Sequence, residues 1–190
     1  LTPSIAGELV GALGITEPGA GSDVAGITTR ARRDGDGWVL DGTKVFITNG
    51  AWCDYLVCAA KVAPQDGGGD DAHGQVTLFV VDATAPGYTS RRLPMLGWRT
   101  SHTGEIHLDG VRVDGANLLG EVGGGFAQIM RAFAWERVSM ALGAVAAAEV
   151  ALEEAIAYAR DRRAFGRPVA SFQVWKHRFA DAATAIARGR

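Results

Sequence analysis

The segment from Thr16 to Asp23 reads Thr-Glu-Pro-Gly-Ala-Gly-Ser-Asp and combines small residues with hydroxyl groups. Small residues let backbone N–H groups approach a ligand closely, and the hydroxyls of Thr16 and Ser22 add further donors. Such a loop suits a polar ring or a phosphate group. A glycine-rich loop is also often an ordinary turn, and this segment by itself favours that simpler interpretation.

A second segment, Lys44 to Gly50, reads Lys-Val-Phe-Ile-Thr-Asn-Gly. Side chains two residues apart in a strand point to the same face, so Phe46 and Thr48 would present an aromatic ring and a hydroxyl side by side. An aromatic wall with one donor suits a flat heteroaromatic cofactor. The alternative is an ordinary strand end with a buried Phe46.

These two segments require a β-rich scaffold. The chain up to about residue 120 is rich in Gly, Thr and Val, and two strands are predicted around a hairpin turn at Asp41-Gly42. Further strands are predicted at 55–62, 75–82 and 104–113, with a loop at 64–74. Because no helices intervene, the pattern indicates an antiparallel barrel or sandwich and not a parallel nucleotide-binding sheet.

The last seventy or so residues are rich in Ala, Arg and Glu and predict helices, so the fold class is α+β. Residues 126–159 hold no proline and only one glycine, which predicts one long helix. Ser171 is predicted to cap a second helix, antiparallel to the first, with Phe172, Trp175, Phe179 and Ile186 on one face. Neither helix closes a core alone.

The composition argues against several classes of partner. Nineteen Lys and Arg balance twenty-one Asp and Glu, with no basic block, so we expect no nucleic-acid partner. No apolar run reaches the length of a membrane span, so we expect no membrane partner and place the protein in the cytoplasm. Cys53 and Cys58 lack the spacing of a zinc or disulfide framework, which predicts reduced core thiols and no metal.

Three segments in order resemble the acyl-CoA dehydrogenase family: Thr16 to Asp23, Gly42 to Asn49, and Arg162 to Gln173. The resemblance implies a helical N-terminal domain, a central β domain and a C-terminal four-helix domain, with FAD held between them and usually across a subunit interface. Residues 1–120 would then be the central flavin-binding β domain, with 1–10 as the tail of the preceding helical domain. Residues 121–190 would be the first helices of an incomplete four-helix bundle.

The function that this resemblance implies is FAD-dependent α,β-dehydrogenation of an acyl-CoA thioester to a trans-2-enoyl-CoA. Electrons would pass to an electron-transfer flavoprotein, and the protein would be a homo-oligomer, either a dimer or a tetramer. One alternative is a related flavoenzyme such as an acyl-CoA oxidase or a nitroalkane oxidase, which reoxidises its flavin with O₂. Another is a non-catalytic subunit that binds flavin or only scaffolds a partner.

Carried over to this sequence, the resemblance implies three groups of ligand-binding residues. The first group lines the flavin: Leu13, Ile15, Thr16, Gly21, Ser22, Phe46, Ile47 and Thr48. The second contacts the diphosphate and adenosine of a neighbouring subunit's FAD: Arg162, Ala164, Phe172 and Gln173. The third binds the acyl-CoA: Ser22, Ser101, Thr103 and Arg137.

Three positions depart from the family's pattern. Ala164 replaces a common Thr, Phe172 replaces a frequent His, and Ala134 stands where many members carry an Asp that contacts the substrate. From the residues alone, Arg162 also fits a cluster that stabilises the end of a helix.

The reaction needs a base for the α proton, and the family supplies it from one of two places. In most members the base lies near the end of the C-terminal domain, in a segment that this sequence does not include. In a minority it comes from the long helix, where Glu136 occupies the position. Glu136 shares a helical face with apolar residues, so burial would raise its pKa towards a useful range. The alternative is a structural Glu paired with an Arg.

Overall fold

The computed structural model describes residues 2–62 and 76–190. The chain divides into two compact units, one that ends at Ile129 and one from Met130 to Arg190. The loop predicted at 64–74 lies outside the described residues, as does Gln75 at the start of one predicted strand. The domain boundary expected at residue 120 stays a prediction.

The first unit is built mainly from strands. A short helix, α1, spans Thr2–Ile5. Eight strands follow: β1 Gly11–Gly14, β2 Arg30–Asp34, β3 Gly37–Ile47, β4 Tyr55–Val62, β5 Val76–Asp82, β6 Tyr88–Arg92, β7 Gly104–Val113 and β8 Leu118–Leu119. Single 3₁₀ turns lie at Val24–Gly26 and Gly115–Asn117.

The strands form one sheet in the order β6-β7-β3-β2-β4-β5-β8, with β1 paired to β4. Most neighbours are antiparallel, in agreement with the predicted α+β class. Two short pairings are parallel, and both involve β4. β1 pairs with the start of β4, with Gly11 opposite Tyr55, and β2 pairs with its end, with Arg30 opposite Lys61. These parallel pairings were not predicted, since local patterning carries no information about which distant strand becomes a neighbour.

The core of this unit is formed by side chains from β3, β4, β5 and β7. Trp38 contacts Phe79 edge to face, with ring centroids 5.4 Å apart. Each large apolar side chain that is fully buried contributes about 1.5–3 kcal/mol to folding. Cys53 and Cys58 are free and buried, as predicted, and burial raises the pKa of Cys58 to about 11.

The hairpin predicted at Asp41-Gly42 is wrong. β3 runs without interruption past these residues, and the turn that joins β2 to β3 contains Gly35 instead, with φ 62°. Gly42 lies where the register between β3 and β7 shifts. A Cβ at Gly42 would lie 2.3 Å from the Oγ1 of Thr29. Gly42 is therefore needed for a bulge and for the close approach of Thr29, and the Asp-Gly dipeptide does not form a turn here.

The second unit holds the remainder of a long helix and a shorter one. Helix α2 spans Gly125–Asp161, and α3 spans Gln173–Gly189. Two short antiparallel strands separate them, β9 Arg163–Ala164 and β10 Arg167–Pro168. The side chain of Arg190 pairs with Glu149, and a Cβ on Gly189 would lie 2.9 Å from Val145, so α3 returns along α2 in the antiparallel sense predicted.

Ser171 does not cap α3 as predicted. The residue at the cap position is Phe172, and the Ser171 hydroxyl donates a hydrogen bond of 2.7 Å to the carbonyl oxygen of Pro168. A single 3₁₀ turn at Val169–Ser171 shifts the helix start and explains the difference. Within the described parts of the chain, the length and hydropathy needed to cross a membrane are not met by any helix.

Candidate functional site

A cleft of about 480 Å³ lies in the first unit. It is lined by Phe46, Thr48, Asn49, Met95, Trp98, Thr100, Ser101 and Thr103. Two of these are predicted flavin-facing residues, and two are predicted substrate-binding residues. The fold therefore brings together, in one cleft, groups that are more than fifty residues apart in the sequence.

Phe46 forms one wall of this cleft. Its side chain is 66% exposed, whereas Val45 and Ile47 on either side are buried. The backbone of Phe46 has φ 59°, in a region that non-glycine residues rarely occupy and that costs energy wherever it is found. The alternative of a buried Phe46 is wrong, and the ring is held outwards at a strand end. Ile47 points into the core, so any contact it makes with a ligand comes from its backbone.

A second part of the cleft lining comes from the segment between β6 and β7. Trp98 is 83% exposed there, and the hydroxyls of Ser101 and Thr103 lie 2.8 Å apart. The guanidinium of Arg92 donates to the carbonyl oxygens of Arg99 and Ser101, at 2.7 and 3.3 Å. These bonds fix the segment beside the cleft and orient its hydroxyl groups.

The glycine-rich loop reaches the strand that carries Phe46. The carbonyl oxygen of Thr16 accepts a hydrogen bond of 2.9 Å from the N–H of Val45. Within the loop, Glu17 and Ala20 exchange two backbone hydrogen bonds, of 2.9 and 3.1 Å. Thr16 therefore lies against Val45, the residue before Phe46, and its predicted contact with the flavin stays a prediction.

Packing does not require glycine at the outer part of this loop. A Cβ added at Gly21 would meet no atom within 4 Å, and Ser22 beside it is exposed. Leu13 is 39% exposed and Ile15 is buried. The loop thus leaves its backbone open to an approaching group, which a simple packing role for glycine would not explain.

A buried ion pair that the sequence analysis missed joins the loop to β3. The Nζ of Lys44 lies 2.8 Å from Oε1 of Glu17 and 3.1 Å from the carbonyl oxygen of Ile15. Oε2 of Glu17 accepts from the N–H and hydroxyl of Thr28, at 2.6 and 2.7 Å. Glu17 belongs to the glycine-rich segment and Lys44 to the segment that carries Phe46, but only tertiary contact shows that they pair.

The environment of Glu17 holds its pKa at about 2, below its ordinary value of 4.5. Burial alone would raise the pKa, because it penalises the charged form. The charge of Lys44 and the hydrogen bonds to the carboxylate oppose burial and outweigh it. Glu17 is therefore ionised at neutral pH and is not a candidate general acid.

Glu136 and Arg137 belong to the second unit. Glu136 is exposed, so the burial predicted from its apolar face is not present in this chain. The apolar face of α2 that includes Glu136 is exposed, since Met140 on the same face is 72% exposed. The helical spacing predicts which side chains share a face, but it does not predict what packs against them. The guanidinium of Arg137 lies 5.9 Å from the ring centroid of Phe133.

The four residues predicted to contact a neighbour's cofactor lie around one hairpin. Arg162 follows the last residue of α2 and is exposed, Ala164 lies in β9, and Gln173 begins α3. The Arg167 guanidinium stacks 4.1 Å from the ring centroid of Phe172. Arg162 is exposed at the end of α2, where both the phosphate-binding and the helix-end interpretations stay open.

No group of three or more His, Cys, Asp and Glu side chains within 2–62 and 76–190 is arranged to hold a metal ion.

The β domain and the helices that follow it both match models of one protein family. Residues 12–111 match the model of the acyl-CoA dehydrogenase middle domain. Residues 123–190 match the model of the acyl-CoA dehydrogenase C-terminal domain. The chain belongs to the acyl-CoA dehydrogenase family.

Individual relatives support this assignment over most of the chain. The long-chain specific acyl-CoA dehydrogenase of Sus scrofa mitochondria is 40% identical over 95% of this chain and 42% of its own length. The acyl-CoA dehydrogenase structure from Geobacillus kaustophilus is 41% identical, with TM-score 0.92 over 99% of this chain and 49% of its own. Butyryl-CoA dehydrogenase from Megasphaera elsdenii is 35% identical, with TM-score 0.89 over 99% and 48%. The chain thus spans about half the length of these relatives.

Proposed function

We propose that the protein carrying this chain is an FAD-dependent enzyme that dehydrogenates an acyl-CoA thioester at the α,β position to give a trans-2-enoyl-CoA. The observation that carries the proposal is the cleft in which Phe46 and Thr48 lie with Ser101 and Thr103. A cleft lined by an exposed aromatic ring, a threonine and a pair of hydrogen-bonded hydroxyls suits a flat ring system next to a polar substrate.

The residues present fit a flavin. The open face of Phe46 offers an apolar surface to the ring system, and Thr48 offers a donor or acceptor at its edge. The loop that includes Thr16, Gly21 and Ser22 offers backbone groups to the flavin. Leu13 and Ile15 precede this loop in the sequence, and Ile47 lies between Phe46 and Thr48. These three residues are also proposed to contact the flavin. When bound, FAD supplies an acceptor for the hydride that leaves the β carbon.

The charged segment after α2 suits the diphosphate of the cofactor. The planar guanidinium of Arg162 can pair with two phosphate oxygens at once. Ala164, Phe172 and Gln173 belong to the hairpin and the helix start that follow it. We infer that these residues serve the FAD of a neighbouring copy, which makes the protein a homo-oligomer.

The substrate would be held by Ser22, Ser101, Thr103 and Arg137, and Glu136 would take the α proton. An exposed carboxylate becomes a strong base towards a carbon acid only when water is excluded from it. The proposal therefore requires that Glu136 be covered in the assembled protein. We further propose electron-transfer flavoprotein as the electron acceptor. The cytoplasmic location stays a prediction of the sequence.

Cofactor binding tests the proposal first. The full-length protein should purify with FAD or take it up, and Phe46→Ala should weaken FAD binding roughly tenfold, as expected from losing an aromatic contact worth about 1–1.5 kcal/mol. Leu119→Ala, an exposed apolar side chain on the edge strand β8, is the matched control and should leave the dissociation constant unchanged.

Two outcomes would contradict the proposal. A folded protein that takes up no FAD would indicate the non-catalytic alternative. A protein that binds FAD but releases H₂O₂ in each turnover with acyl-CoA in air would indicate an oxidase.

A further inference from the structure

We propose that the buried pair of Glu17 and Lys44 is a positioning device for the cofactor, which holds the glycine-rich loop and the Phe46 strand end in one fixed arrangement. This inference rests on the proposed FAD site. It assigns a role to two residues that do not line the cleft themselves.

The geometry makes the pair a cross-link between the two ligand-facing segments. Lys44 lies two residues before Phe46 in β3, and Glu17 directly follows Thr16 in the loop. The Lys44 ammonium contacts both Glu17 and the carbonyl oxygen of Ile15, so it fastens the loop on both sides of Thr16. The hydrogen bond from Val45 to Thr16 lies between these contacts and completes the junction.

The strain in the strand end explains why such a cross-link is needed. Phe46 has a positive φ, and the register of β3 against β7 shifts between Lys44 and Ile47. A residue in this conformation persists only where its surroundings hold it. The fully buried side chain of Lys44 anchors the strand on one side of the irregular residue, and Ile47 anchors it on the other.

Stability alone is a poor explanation for the pair. An ion pair removed from water loses about as much hydration energy as it gains in attraction, and apolar replacement of such pairs is often neutral. A pair retained for geometry should therefore affect ligand binding even where it adds little to folding. This difference separates a positioning role from a merely structural one.

The test uses the double variant Glu17→Gln with Lys44→Met in the full-length protein. Gln keeps the shape of Glu and one of the two acceptor oxygens that the N–H groups of Thr28 and Thr29 use, and Met fills the volume of the Lys stem. No charge is then left buried alone. Urea unfolding reports the fold, titration with FAD reports affinity, and the visible absorption band of bound flavin reports its surroundings.

We expect the double variant to fold, to bind FAD at least about tenfold more weakly, and to shift the flavin band, because a small misplacement of positioning groups is costly. The control is Asp34→Asn with Arg112→Met, which removes an exposed ion pair near the opposite end of β3 and should alter neither readout. FAD affinity and an absorption band equal to those of the parent protein would overturn the inference. Failure of the parent protein to bind FAD would overturn the proposed function as well.

If the double variant does not fold, Thr28→Val decides. This change removes only the hydroxyl that donates to Oε2 of Glu17 and leaves both charges in place. The inference predicts a loss of FAD affinity of about threefold, smaller than in the double variant, because the ion pair and the backbone hydrogen bonds to Glu17 remain and only one bond that orients the carboxylate is lost. An unchanged dissociation constant would contradict it.

Discussion

Lys44 Nζ and Glu17 Oε1 lie 2.8 Å apart in a site that excludes solvent almost completely from both side chains. The two residues are 27 positions apart and join a loop to a strand. Each charge is balanced by the other, and the carboxylate is further bonded to Thr28 and Thr29. Removing one partner therefore leaves an uncompensated charge in the core. This should reduce the free energy of unfolding more than replacing both residues does.

Lys44→Met should destabilise the protein by about 3–5 kcal/mol, because it strands the ionised carboxylate of Glu17 in a buried site. The free energy of unfolding in urea measures this. Arg112→Met breaks the exposed pair with Asp34 and should cost no more than about 1 kcal/mol. Equal losses in the two variants would show that burial of the first pair has no energetic consequence.

Acid should reduce stability through Glu17. Its pKa is about 2 in the folded protein and about 4.5 ordinarily, so its stabilising effect is complete above about pH 4.5 and is lost as the pH falls towards about 2. The loss amounts to roughly 3 kcal/mol over that window. Urea unfolding over the same window checks this. Glu17→Gln should remove that part of the pH dependence, and an unchanged acid profile in this variant would contradict the assignment.

Gly87→Ala should destabilise the protein by about 2–5 kcal/mol, since it combines a positive φ with a steric clash. Gly87 has φ 87°, and a Cβ there would lie 2.1 Å from the carbonyl oxygen of Asp109. Gly110 has φ 63° but open space around it, so Gly110→Ala should cost only about 1–2 kcal/mol. The melting temperatures of the two variants check this. A larger drop for Gly110→Ala than for Gly87→Ala would contradict the prediction.

Glu136→Gln tests the proposed base. The change keeps size and hydrogen bonding but removes proton abstraction, so flavin reduction by saturating acyl-CoA should slow by at least about a hundredfold. Stopped-flow absorbance measures this rate. Glu153→Gln, an exposed glutamate farther along α2, is the control. A rate within a few-fold of the parent would assign proton removal to another group and leave Glu136 a structural role.

Local patterns predicted the elements better than their connections. The spacing of apolar residues indicated α2 and α3. Phe46 and Thr48 line one cleft, although the positive φ of Phe46 and the register shift beside it depart from the regular strand on which their pairing was predicted. Asp41-Gly42 misled because the same dipeptide suits a turn and a bulge, and only the close approach of Thr29 distinguishes them.

Candidate site residues could be named from the sequence where they belong to a motif of the family. Residues that come together only through tertiary contact could not be named. Ser101 and Thr103 were proposed through the family resemblance, and both line the cleft. The structure adds Met95 and Trp98 to the lining, and no periodic pattern in the sequence predicts that they are exposed. The pairing of Glu17 with Lys44 depends on how the loop folds back on β3. Glu136 shows the converse, because its helical face predicted burial that depends on a covering element.

Anaerobic mixing of the full-length protein with an acyl-CoA shows whether bound FAD accepts the hydride of the substrate. We predict that the visible absorbance of bound flavin is lost on mixing and that mass spectrometry finds an enoyl-CoA lighter than the substrate by two hydrogens. The absorbance should return when electron-transfer flavoprotein is added. A flavin that binds to the protein but keeps its oxidised spectrum with acyl-CoA substrates of short, long and branched chains would contradict the account.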